Sequence, residues 1–77
     1  MKQLSDLTDR EQQVLILVAK ALPYKIIASE LSISIKTVEK HKQSLMNKLN
    51  IHDGITLTHF ALNRGLVQNM FANEPNG

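Results

Sequence analysis

The sequence predicts an all-α fold, a bundle of four short helices. Apolar residues recur at i, i+3, i+4 and i+7 along most of the chain, the spacing of one helix face. Candidate capping residues and the breaks at Pro23, Asn50 and Gly65 divide that pattern into four runs. With 77 residues and no cysteine, there is room for one core, held by packing and association rather than by disulfides or a thiolate metal site.

Met1 to Leu7 read as a lead-in without periodicity. Thr8-Asp9-Arg10-Glu11 then has the form of a capping box. The Thr8 hydroxyl can accept from the Glu11 backbone N–H while the Glu11 carboxylate reaches back to the N–H of Thr8. Val14, Leu15, Leu17, Val18, Ala21 and Leu22 are the expected buried face of this first helix, and Ile16 points the other way. Pro23, lacking an N–H, closes it and can open the next. Tyr24, Ile27, Ala28 and Leu31 follow helical spacing, with Ala28 small where two helices cross closely.

Ser32-Ile33-Ser34 breaks the pattern. Ile33 can plug the core from the turn, and Ser34 is a good N-cap for a third helix over residues 35–49. Two helices joined by about three residues, the second one basic, make a helix-turn-helix.

Projected at about 100° per residue, the third helix divides into three bands. Val38, Leu45 and Leu49, with Ile35 and Met46 at one margin, form an apolar stripe. Opposite lie Lys36, Glu39, Lys40, Gln43 and Asn47, long or amide side chains suited to the donors and acceptors on base edges. The flank between carries Thr37, His41, Ser44 and Lys48, suited to phosphate oxygens. A helix lying in the major groove of double-stranded DNA needs these three surfaces.

Asn50 tolerates the left-handed conformation that closes helices, Ile51 returns to the core, and Asp53 can cap a fourth helix from Gly54 to Arg64, closed by Gly65. Ile55, Thr58, His59 and Leu62 share one side of it; Leu57, Phe60, Ala61 and Arg64 lie roughly opposite. A domain this small can bury only one side, and Leu57, Phe60, Ala61 and Arg64 are the candidate dimer surface. Leu66, Val67, Met70 and Phe71 extend or drape over the core, and Ala72 to Gly77 form a frayed tail. The expected organisation is a lead-in at 1–7, one domain at 8–67 and a tail at 68–77.

The net charge is only +2, but its distribution is uneven. Basic and acidic residues cancel over 1–33, whereas Lys36, Lys40, Lys42 and Lys48 stand against Glu39 alone in the third helix. A polyanion-binding module has this asymmetry. Other classes fit less well. The three glycines are scattered, so there is no phosphate-cradling loop, and no Ser, His and Asp arrangement suggests a nucleophile. His41, His52 and His59 match no ligand spacing, so neither metal nor cofactor is expected, nor a small-molecule substrate. Met1 and Lys2 precede polar residues, and no apolar run is long enough to span a membrane, so a cytoplasmic location is the expectation.

The motifs LTDREQQVL (Leu7 to Leu15), KIIASELSIS (Lys25 to Ser34), KTVEKH (Lys36 to His41), NKL (Asn47 to Leu49) and Gly65-Leu66 stand in an order that resembles the helix-turn-helix domain of LuxR-type (GerE-like) bacterial transcriptional regulators, response regulators among them. The resemblance covers roughly Leu7 to Val67. It implies a four-helix fold with the third helix in the major groove and the fourth commonly mediating dimerisation, hence sequence-specific DNA binding by a homodimer. RNA polymerase is a further candidate partner. By position, Glu39, Lys40 and Gln43 fall where the family reads bases, and Lys25, Thr37, His41 and Lys48 where it grips phosphates. Lys36 lies between the two classes and is assigned to the bases. Ala21 stands where the family usually has glycine, Pro23 where a capping serine and Tyr24 where an asparagine are frequent, and Gly54 where arginine is common. Two alternatives remain: the promoter-reading domain of a sigma factor, which resembles the same pattern, and a protein-binding module acting through Ile16, Ile26 or the second face of the fourth helix.

Overall fold

A computed structural model describes residues 4–67. The first three residues of the expected lead-in, Met70, Phe71 and the tail expected at 68–77 lie outside the described residues. After a 3-10 turn at Leu4–Asp6 come α1 (Asp9–Ala19), α2 (Tyr24–Leu31), α3 (Ile35–Leu49) and α4 (Gly54–Asn63). There is no strand among the described residues. Helix α1 packs on α2, α3 and α4, and α2 packs on α3.

Each helix start except that of α2 has a side-chain cap. In the capping box of α1, the Glu11 N–H donates to Thr8 Oγ1 (3.1 Å) and the Thr8 N–H to Glu11 Oε1 (3.0 Å). Ser34 Oγ accepts from the Thr37 N–H at 3.0 Å, and Asp53 Oδ1 from the Thr56 N–H at 2.8 Å. Pro23 opens α2 without a side-chain cap; its carbonyl accepts from the N–H groups of Ile26 and Ile27.

The four α-helices end alike. Ala21, Ser32, Asn50 and Gly65 each take a positive φ, between 58° and 72°. The N–H of each donates to a carbonyl three residues back, at 2.8–3.2 Å. The next residue's N–H donates five residues back: Leu22 to Leu17, Ile33 to Ala28, Ile51 to Met46 and Leu66 to Ala61. This is the Schellman closure, and the residue after the left-handed one is apolar every time, folding back onto the core. One local device thus stops each helix and recovers a core side chain.

The core comprises Leu7, Val14, Leu15, Ile27, Ala28, Val38, Leu45, Leu49, Ile51, Leu57 and Ala61. Leu17, Val18, Leu22, Tyr24, Leu31 and Ile33 pack against it. Leu7 is part of this core, so the folded unit takes in the end of the lead-in. Two sequence expectations need correction. Helical spacing puts Ala21 on the buried face of α1, but α1 stops at Ala19, and Ala21 is the exposed left-handed residue of the closure. Leu57 and Ala61, expected at a dimer surface, are fully buried in this chain's own core. The sheltered side of α4 is the one bearing Leu57 and Ala61, because burying the other would enclose Thr58 and His59.

Candidate nucleic-acid interface

The three bands of α3 correspond to three levels of exposure. Val38, Leu45 and Leu49 are buried. Lys36, Glu39, Lys40, Gln43 and Asn47 are all exposed, and the flanking Thr37, His41, Ser44 and Lys48 are half-buried. Packing of Val38, Leu45 and Leu49 fixes the rotation of the helix and turns the polar face outward. On that face Gln43 Nε2 donates to Asn47 Oδ1 at 3.2 Å, one helical turn on. Ile35, expected at the margin of the apolar stripe, is 44% exposed at the first turn.

The flanking band is largely engaged within the protein. Thr37 and Ser34 share a hydroxyl–hydroxyl hydrogen bond of 2.9 Å at the start of α3. Ser44 Oγ donates to Glu11 Oε2 at 2.6 Å, and Lys48 Nζ donates to Glu11 Oε1 at 2.8 Å. Glu11 is only 4% exposed, yet its carboxylate receives Thr8, Ser44 and Lys48 together. Burial by itself pushes the Glu11 carboxyl up. The hydrogen bonds from Lys48, Ser44 and Thr8, with the Lys48 charge, outweigh it and lower the pKa from an ordinary 4.5 to about 2.

Lys48, assigned to phosphate from the sequence, is therefore first a strut between α3 and α1. The capping box accounts for the Glu11 contact with Thr8 but gives no sign of its junction with Ser44 and Lys48. The available signal was phase: Glu11 lies three and four residues before the buried Val14 and Leu15, on the core face of α1.

On the opposite side of α3, Lys42 Nζ stands 5.2 Å from the centroid of the Tyr24 ring at the start of α2. Lys25, the next residue, is exposed. His41 is half-buried, whereas His52 and His59 are exposed. No group of His, Asp and Glu among the described residues is placed to hold a metal ion. No helix among them is long and apolar enough to cross a membrane.

On α4 the outward side carries Ile55, 72% exposed, beside Thr58 and His59. These residues line a shallow depression with Val18, Asp53 and Gly54. Phe60 is half-buried, with the Arg64 guanidinium 4.6 Å from its ring centroid.

A short helix, a three-residue turn at 32–34 and a longer helix with an exposed basic face make a helix-turn-helix of the kind found in DNA-binding proteins. Residues 5–61 match the family described as bacterial regulatory proteins, luxR family, and the chain belongs to that family of DNA-binding regulators of transcription. Over 62 residues it is 44% identical to the uncharacterized response regulatory protein YgeK of Escherichia coli K12, covering 80% of this chain and 42% of that protein. It is 36% identical to the response regulator UvrY of the same organism and 42% identical to the oxygen regulatory protein NreC of Staphylococcus epidermidis. In both, 80% of this chain aligns with 28% of the relative, so the chain spans less than half of these relatives.

Proposed function

We propose that this domain binds double-stranded DNA sequence-specifically, with α3 in the major groove, and does so as a homodimer to regulate transcription. The observation that carries the reading is the exposure of Lys36, Glu39, Lys40 and Gln43 on one face of a helix whose opposite face is locked in the core. Gln43 can make a bidentate contact to adenine, Lys40 can donate to guanine, and Glu39 can accept from the N4 amino group of cytosine. Lys36 adds a donor at the same face. Lys25, Thr37 and His41 hold phosphates and set the register. Lys48 contributes less to phosphate binding than its position suggests, because Glu11 cancels its charge. The relatives named as response regulators support a place for the domain in a longer regulatory protein.

Selection from a randomised duplex pool at two salt concentrations, with sequencing of the bound fraction, tests this. The expected result is an enriched two-part motif whose binding weakens steeply with salt. Failure to bind at low salt overturns the reading.

A further inference from the structure

We propose that Lys42, held over the ring of Tyr24, is a phosphate contact on the α2 side of the reading face and forms with Lys25 a second gripping edge. The inference rests on the major-groove placement of α3. A helix in that groove faces a sugar-phosphate backbone on each wall. In projection Thr37 and Lys42 lie roughly 110° to either side of the centre of the reading face, so each borders one wall.

The two edges are chemically unlike. On the α1 side the one lysine, Lys48, is paired with Glu11. On the α2 side Lys42 has no carboxylate partner among the described residues; its ammonium lies 5.2 Å from the Tyr24 centroid. An aromatic face attracts a cation through its quadrupole without neutralising its charge. Tyr24 thereby restricts the long Lys42 side chain and leaves its N–H groups available to phosphate oxygens. Lys25, adjacent in sequence to Tyr24, exposed and without a carboxylate partner among the described residues, adds a second cation at the start of α2. Tyr24 is a positioning residue, and Lys42 is the contact.

The test titrates the 77-residue chain against a mixed-sequence duplex of about 30 base pairs, between about 50 and 200 mM salt. Circular dichroism accompanies each variant to establish that it is folded. In K42Q the slope of log affinity against log salt is expected to become shallower by about 0.9. K20Q, which removes a lysine at the far end of α1, leaves the slope as it was. Y24L weakens binding about 2- to 5-fold, and Y24F, which keeps the ring, restores it. A folded K42Q with an unchanged slope, beside a wild-type chain that binds, overturns the assignment of Lys42 while the DNA reading stands. Absence of wild-type binding at the lower salt overturns both.

Discussion

Lys48 Nζ lies 2.8 Å from Glu11 Oε1, which ties the last turn of α3 to the first turn of α1. Lys48 also sits where a cation suits the negative end of the α3 dipole. The pair is unevenly buried, the Lys48 side chain being 34% exposed and that of Glu11 5%. Lys48→Met strands a buried carboxylate with only Ser44 and the Thr8 N–H as donors. The expected cost is about 2–3 kcal/mol, below the range for removing one partner of a fully buried pair because the ammonium keeps some solvent. Thermal unfolding of the two proteins in one buffer checks it, and equal melting temperatures would show that the strut carries no stability.

The same junction sets an acid limit. The Glu11 carboxyl has a pKa of about 2 folded, against an ordinary 4.5. Its contribution is fully present above the unfolded value and disappears as pH falls through the folded one. The folded domain should lose about 3 kcal/mol from this group as pH drops across that window. Urea titrations at successive pH values measure the loss. Glu11→Gln should flatten the acid limb, since no carboxyl then remains to protonate. Asp53, held below its ordinary 3.8 by the Thr56 backbone and hydroxyl hydrogen bonds, acts in the same direction.

Ala21 and Ser32 occupy the left-handed position that Asn50 and Gly65 fill in the other two closures. For a residue with a Cβ that conformation costs about 1–2 kcal/mol. Ala21→Gly and Ser32→Gly should each raise stability by up to about 1 kcal/mol, less what glycine adds to the freedom of the unfolded chain. Gly65→Ala should lower it by a similar amount. Denaturant midpoints decide, and a destabilised Ala21→Gly would mean that Ala21 is not strained.

What the chain revealed in advance was mostly local. Thr8, Ser34 and Asp53 cap helices through bonds reaching three residues, so each could be placed from its own neighbourhood. The limits of α3 and the direction of its apolar stripe followed in the same way. Glu11 was different, because its partners Ser44 and Lys48 lie 33 and 37 positions away and only packing of α1 on α3 brings them together. Tyr24 and Lys42 meet only through the α2–α3 contact. The buried side of α4 was ambiguous because both sides carry apolar residues, and the choice belongs to the rest of the core. Ala21 was misplaced because alanine is a good helix former; the apolar Leu22 beyond it was the sign of a closure.

Base-reading and phosphate-gripping residues should separate in binding experiments. Lys40→Ala is expected to cost about 1–3 kcal/mol on an enriched site and to relax preference at one base pair. Lys25→Ala should weaken all sequences alike and reduce the salt slope by about 1. Affinities on the enriched site and on single-base variants of it, at two salt concentrations, distinguish the two. Uniform loss from both substitutions would remove the division of roles between Lys40 on α3 and Lys25 on α2.

The two sides of α4 make the last contrast. Leu57 is fully buried, and Leu57→Ala should cost about 2–5 kcal/mol of stability through lost transfer energy and the cavity left behind. Ile55 is 72% exposed at the depression shared with Val18 and His59, so Ile55→Glu should leave the unfolding of a single chain within about 0.5 kcal/mol. If the domain pairs through the outward side of α4, Ile55→Glu should also abolish cooperative occupation of a two-part DNA site while leaving binding to a single half-site intact. Sedimentation and half-site titrations with the same preparation read both effects. A variant that still binds two-part sites cooperatively would move the dimer contact to another surface, because a buried glutamate without a partner is too costly for an interface to retain.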